Sequence, residues 1–105
     1  MATKYEPSII QNNVECYICH APYTVGLDHH HCIEGNKYIR AKGSKYGLWV
    51  WMCRKCHDNL HNTNNNRRQL EAIAQKAFIE NMKKQGYPED TCREEWYRQF
   101  GKFYD

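Results

Sequence analysis

The sequence of 105 residues has no hydrophobic run long enough to cross a membrane. Its longest apolar run, Leu48 to Cys53, has six residues, whereas a membrane-spanning helix needs about 20. The N-terminal residues also lack the apolar segment of a secretory signal peptide. These absences exclude a protein held in the bilayer by a hydrophobic helix, and we expect a cytoplasmic location with no membrane partner.

The chain is also poor in apolar residues and in net charge. Its mean hydropathy is −0.93 and its formal net charge is +3. Aromatic residues nevertheless make up 13% of the sequence, which argues against intrinsic disorder. We therefore expect one small folded domain with a thin core that needs additional stabilisation, such as disulfides or a bound metal. The charge permits nucleic-acid binding without requiring it.

Six cysteines indicate the source of this additional stabilisation. Four of them form two Cys-x-x-Cys pairs, a spacing typical of a four-cysteine structural zinc site. They are Cys16, Cys19, Cys53 and Cys56. Disulfides would need an oxidising compartment, for which the sequence carries no secretion signal. Cys32 and Cys92 stand alone and are expected to be packed thiols.

The first half of the chain predicts a zinc knuckle and two strands. Residues 1–13 are expected to form a flexible arm, and a strand is expected within residues 22–33. Three glycines and four basic residues at 34–47 predict a long loop. The apolar run at 48–52 is rich in β-formers and predicts the second strand.

The second half predicts helices. A helix is expected to begin at Cys53 and to reach His61, followed by a polar break at 62–66. Apolar residues at three- and four-residue steps predict a long helix at 67–85, which Gly86 and Pro88 would end. Asp90 or Thr91 would cap a last short helix. Trp96, Phe100, Phe103 and Tyr104 would pack that helix back onto the domain.

Five of the six histidines fall into two clusters. His29, His30 and His31 are expected at a strand end, whereas His57 and His61 are four residues apart on one helical face. Imidazoles from both clusters could bind one ion and leave positions open for water and substrate, as catalytic metals require. The clusters could instead be solvated surface, or one histidine could replace a cysteine at the zinc site.

Together these residues resemble the HNH nucleases, the ββα-metal family, and among them small members from phages and prophages. The resemblance covers roughly residues 14 to 104. It runs through Cys16-x-x-Cys19, Asp28-His29-His30-His31, Gly35, Lys45-Tyr46-Gly47-Leu48, Cys53-x-x-Cys56-His57 and His61. It implies an α+β fold in which a ββα-metal core with the zinc knuckle spans 14–62 and further helices span 66–105. For a phage protein, the expected location is the host cytoplasm.

The resemblance also implies a role for each histidine. His30 would be the first metal ligand, His31 the general base, and His57 and His61 the helix ligands of a catalytic Zn²⁺, Ni²⁺, Mn²⁺ or Mg²⁺ ion. A second register remains open, with Asp28 as ligand and His29 as base. The spacing to Gly35 favours the first register.

The implied activity is metal-dependent hydrolysis of DNA phosphodiester bonds, with nicking and little sequence specificity. Double-strand cutting would need a homodimer or successive nicks, and a phage packaging or recombination partner is expected. The candidate phosphate contacts are the basic residues Lys37, Arg40, Lys42, Lys45, Arg54, Lys55, Arg67 and Arg68.

One departure from the family leaves an alternative open. The Asn that normally precedes the second strand is absent, since the stretch there is Tyr46-Gly47-Leu48. In the family this Asn is thought to orient the general base. The alternative is a non-catalytic, zinc-stabilised module on the same fold that binds DNA or a protein.

Overall fold

The computed structural model describes residues 7–33, 35–60 and 64–105. It shows a small mixed α+β fold with one two-stranded sheet. In chain order its elements are a 3-10 turn (Tyr23–Val25), β1 (Leu27–His31), α1 (Lys37–Lys45), β2 (Trp49–Cys53), α2 (Arg54–Leu60), α3 (Asn64–Lys84) and α4 (Glu89–Phe100). Within the described part of the chain, none of the helices is both long and apolar enough to cross a bilayer.

The two strands pair antiparallel, with Leu27 opposite Cys53 and His31 opposite Trp49. The strand predicted within 22–33 is confirmed from residue 27 onward, but its first part is wrong. Tyr23 and Val25 lie in the 3-10 turn and are 69% and 61% exposed, so their alternation does not mark a buried face. The second predicted strand is confirmed.

The long loop predicted at 34–47 is wrong because α1 occupies most of it. Asn36 begins this helix by a side-chain cap, in which its Oδ1 accepts hydrogen bonds from the N–H groups of Tyr38 and Ile39, each at 3.0 Å. Such a cap satisfies backbone donors that the first turn leaves without partners. The glycines that suggested a loop lie at the helix borders and at Gly43, which is buried within the helix.

The three later helices match the predicted ones with small shifts. The long helix α3 begins at Asn64, so it includes part of the predicted polar break, and residues 61–63 lie outside the described part. The cap predicted at Asp90 or Thr91 is wrong. The N-cap of α4 is Pro88, without a side-chain cap, and Asp90 lies in the first turn, where its charge favours the helix dipole.

An aromatic cluster forms the core between α3 and α4. Trp96 is fully buried, its ring lies 5.3 Å from Phe78 and 4.2 Å from Phe100, and its Nε1 donates to the carbonyl of Lys102 at 2.9 Å. Tyr104 contacts the Trp96 ring edge-on at 6.1 Å. The predicted packing of these residues is confirmed, except that Phe103 remains 40% exposed.

The segment before the first cysteine pair lies along the free edge of β2. Ser8 Oγ donates to the carbonyl of Trp49 at 2.6 Å, and Gln11 Oε1 accepts from the N–H of Trp51 at 2.8 Å. These bonds satisfy backbone groups that an edge strand leaves unpaired. The sequence predicts a flexible arm over 1–13; residues 8–11 are instead held against the sheet, and residues 1–6 lie outside the described part.

Candidate metal centre

The four cysteines of the two Cys-x-x-Cys pairs meet at one point. Cys16 and Cys19 lie at a tight turn that comes before the 3-10 turn in the chain. Cys53 ends β2, and Cys56 lies in the first turn of α2. Their four sulfur atoms all lie within 4.8 Å of one another, and the sulfurs of Cys19 and Cys53 are 3.7 Å apart. Tetrahedral zinc with Zn–S bonds of about 2.3 Å separates its sulfurs by roughly 3.8 Å. The cluster could therefore hold a structural metal such as zinc.

Backbone hydrogen bonds shape the first half of this cluster. The N–H of Cys19 donates to Cys16 Sγ at 3.5 Å, and the left-handed φ of 64° at His20 turns the chain back. The N–H of Tyr17 donates to the carbonyl of Trp51 at 2.8 Å, which ties the knuckle to β2. The cluster is thus formed by the hairpin and not by local sequence alone.

The thiols of the cluster differ in how readily they ionise. Burial opposes ionisation of the Cys16 thiol, but backbone N–H groups, that of Cys19 foremost, outweigh it and lower the pKa. Burial and the neighbouring thiols raise the pKa of Cys56. A bound cation would lower the pKa of all four thiols, because its charge stabilises each thiolate.

The remaining two cysteines lie apart from the cluster. Cys32 and Cys92 are 1% and 0% exposed, which confirms that they are packed thiols. Burial raises the pKa of Cys32 to about 12, so its thiol stays protonated.

One histidine from each cluster, His30 and His57, meet on one face of the hairpin. His30 on β1 is 5% exposed, and its ring centroid lies 5.1 Å from that of His57 on α2, with the planes at 73°. With metal–nitrogen bonds of about 2.1 Å, two imidazoles on one tetrahedral ion have centroids roughly 5 Å apart. The spacing of the two rings is therefore compatible with a shared ion.

Asp28 joins this pair from the same face of β1. Strand residues two apart share a face, so Asp28 lies beside His30. Its Oδ2 accepts a hydrogen bond from His57 Nδ1 at 3.0 Å and lies 3.5 Å from Arg54 Nε. The predicted site does not include the contact between Asp28 and His57, although the i, i+2 spacing of Asp28 and His30 places both residues on one face of a strand.

His29 and His31 point to the opposite face. The His29 ring stacks on Trp49 at 4.3 Å and meets the His31 ring at 4.9 Å. Burial, with a smaller effect of His31, lowers the pKa of His29 to about 4. Burial and then the charge of Arg40 lower the pKa of His31. The predicted ligand His30 and the predicted base His31 are thus on different faces, as are Asp28 and His29 of the alternative register.

Among the described residues, the four cysteines are the one group of three or more potential ligands that converges within 4.8 Å. The predicted third histidine ligand, His61, lies outside the described residues. The prediction of a catalytic ion therefore depends on the pair formed by His30 and His57.

The predicted phosphate contacts differ in their exposure and in their neighbours. Lys42 is half-buried and donates from Nζ to the carbonyl of Gln99 at 3.0 Å, and Arg54 lies near two carboxylates. The other predicted contacts are exposed or half-buried: Lys37, Arg40, Lys45, Lys55, Arg67 and Arg68. Helix α1 carries three of them and no acidic residue.

No protein-family model, curated protein or solved structure matches the chain. The described residues show two arrangements that bear on function: the four-cysteine cluster, and the pair formed by His30 and His57.

Proposed function

We propose that the protein is a metal-dependent DNA endonuclease of the HNH type, which hydrolyses phosphodiester bonds and nicks DNA with little sequence specificity. The observation that supports this most is the approach of His30 to His57. These residues come from separate stretches of the chain, and His57 directly follows Cys56, a member of the four-cysteine cluster.

In this proposal the two sites divide the work. The cysteines would hold a structural zinc that fixes the start of α2, while His30, His57 and, from the sequence, His61 would hold a second divalent ion. The chemistry that such an ion supplies is polarisation of the scissile phosphate and stabilisation of charge on the leaving oxygen. Imidazole ligands suit Zn²⁺, Ni²⁺ or Mn²⁺ better than Mg²⁺.

His31 is the proposed general base. Its lowered pKa keeps the ring neutral at pH 7, so that it can take a proton from the water that attacks phosphorus in line. Because His31 faces away from His30, the scissile phosphate must bind at the end of β1, where His31 is the last strand residue.

Nicking of a supercoiled plasmid tests the proposal, with Mg²⁺, Mn²⁺, Ni²⁺ or Zn²⁺ added to the zinc-loaded chain. His30→Ala and His57→Ala should abolish cleavage, and His31→Ala should slow it by about 10²- to 10⁴-fold. His20→Asn is the matched control, because it removes an exposed imidazole outside the pair, and Asn tolerates the left-handed backbone there.

The outcomes separate the assignments. If His31→Ala cuts DNA as fast as the unchanged chain while His30→Ala cuts it more slowly, the result supports His30 as a metal ligand, and the assignment of His31 as the general base is wrong. If no ion supports cleavage by the unchanged chain, the nuclease proposal is wrong.

A zinc-stabilised binding module is the second candidate, and the placement of His31 on the other face favours it. It predicts one metal ion per chain and binding of DNA or a protein without cleavage. Metal content after dialysis against nickel distinguishes the two, because the nuclease proposal requires a second ion.

A further inference from the structure

The geometry points to Asp28 as a positioning residue that orients His57 toward the second ion, and not as a ligand of that ion. This inference rests on the proposed function. In the alternative register, by contrast, Asp28 would be a direct ligand of the catalytic ion.

The contact between Asp28 and His57 fixes which ring nitrogen carries the proton. An ionised carboxylate only accepts hydrogen bonds, so the 3.0 Å contact with Oδ2 places the proton on His57 Nδ1. The other nitrogen, Nε2, is then left with its lone pair. Metal-binding histidines are commonly held by a carboxylate in this way, which fixes the tautomer and makes the ligand more basic.

Arg54 makes direct coordination by Asp28 less favourable. Its Nε lies 3.5 Å from the same Oδ2 that accepts from His57, so this oxygen already faces two donors. A cation there would displace the His57 contact and sit beside the guanidinium charge. Arg54 also lies 3.7 Å from Asp58, so two carboxylates, those of Asp28 and Asp58, flank the same guanidinium group. Of these two, Asp28 accepts the hydrogen bond from His57 Nδ1.

Asp58 therefore offers a matched control. Asp58→Ala and Asp28→Ala each remove one carboxylate beside Arg54, but only Asp28→Ala removes the acceptor of His57 Nδ1. Asp28→Asn is the milder variant: it removes the charge and keeps an oxygen that can accept the hydrogen bond. Zinc content and thermal unfolding of each variant show whether it is folded.

The first measurement needs no second ion. Nitrogen-15 NMR of the imidazoles in the zinc-loaded chain should show His57 protonated at Nδ1. Asp28→Ala should shift it toward the Nε2-protonated form, and Asp58→Ala should leave it unchanged.

The second measurement is nickel affinity, by titration of the zinc-loaded chain. Asp28→Ala should weaken nickel binding by about 10- to 100-fold. Asp28→Asn should weaken it less, and Asp58→Ala should change it by less than about twofold.

The results separate this inference from the proposed function. If the unchanged chain binds no nickel, the proposed function fails, and the NMR measurement still decides whether Asp28 sets the tautomer. If the chain binds nickel but Asp28→Ala changes neither affinity nor tautomer, the positioning role is wrong. If Asp28→Asn abolishes nickel binding while the His57 tautomer is unchanged, Asp28 is a ligand and the inference is overturned.

Discussion

Gly47 is the residue at which the end of α1, the start of β2 and the N-terminal segment come together. Its φ is +73°, and its carbonyl accepts a hydrogen bond from the N–H of Ile9 at 2.9 Å. A Cβ at this position would collide with the backbone oxygen of Pro7 and press on the backbone nitrogen of Ile9. Both neighbours are main-chain atoms, which cannot rotate away.

We expect Gly47→Ala to lower the free energy of unfolding by about 2 kcal/mol or more, because strain and collision add. Gly86→Ala is the control: Gly86 also has a positive φ, of 99°, but a Cβ there meets nothing within 4 Å. Gly86→Ala should cost about 1 kcal/mol, from backbone strain alone. Urea unfolding at constant zinc compares them, and equal losses would mean that the N-terminal segment does not press on Gly47.

Helix α4 is held at the element scale by Trp96. This side chain is fully buried and contacts Phe78 and Phe100, whereas its neighbour Tyr97 is 54% exposed. The two residues thus compare a core contact with a surface contact on a single element.

Trp96→Ala should lower the free energy of unfolding by about 3–5 kcal/mol through lost burial and an unfilled cavity. Tyr97→Ala should cost about 0.5 kcal/mol. Circular dichroism during denaturant unfolding measures both. A small loss for Trp96→Ala would show that α4 is not packed on α3 as described.

Helix α1 is the element that carries exposed cations without acidic neighbours of its own. If it contacts DNA phosphates, Lys37→Ala with Lys45→Ala should lower the salt dependence of DNA binding by about two counterions. Lys76→Ala with Lys84→Ala removes two exposed lysines from α3 and is the charge-matched control. Equal effects from both pairs would mean that only net charge matters.

The elements differ in how well the sequence predicts them, and the reasons are physical. The apolar steps of α3 and the β-formers of β2 reflect burial directly, so the sequence predicts both elements. It does not predict helix α1, because the glycines there suggest a loop and the stability of the helix depends on the Asn36 cap and on contacts with β1 and α4. The site divides in the same way: the cysteine spacing predicts the cluster, but the pairing register alone decides which histidines face α2.

The four-cysteine cluster joins parts of the whole molecule that are far apart in sequence. Cys16 and Cys19 precede the hairpin, Cys53 is its last residue, and Cys56 lies in the helix that follows it. An apparent binding energy of about 10–16 kcal/mol for structural zinc is as large as the stability of a small domain, which is roughly 5–15 kcal/mol.

Removal of zinc with a strong chelator should therefore unfold the described domain, and zinc should restore it, as circular dichroism would show. Cys16→Ser should lose the metal, whereas Cys92→Ala, which alters a buried thiol outside the cluster, should keep one zinc per chain. A chelated chain that keeps its helical signal would contradict a structural role for the metal.

Three consecutive histidines on a strand leave the molecule with an ambiguity. Slipping β1 past β2 by one residue would turn His29 and His31 toward α2 and His30 away from it, since neighbouring strand residues exchange faces. Cys53 is at once the last residue of β2, opposite Leu27, and a member of the thiol cluster. A metal bound by the thiol cluster would hold Cys53 in place and so fix the register of the two strands. The cysteines would thereby determine which histidine of β1 faces α2.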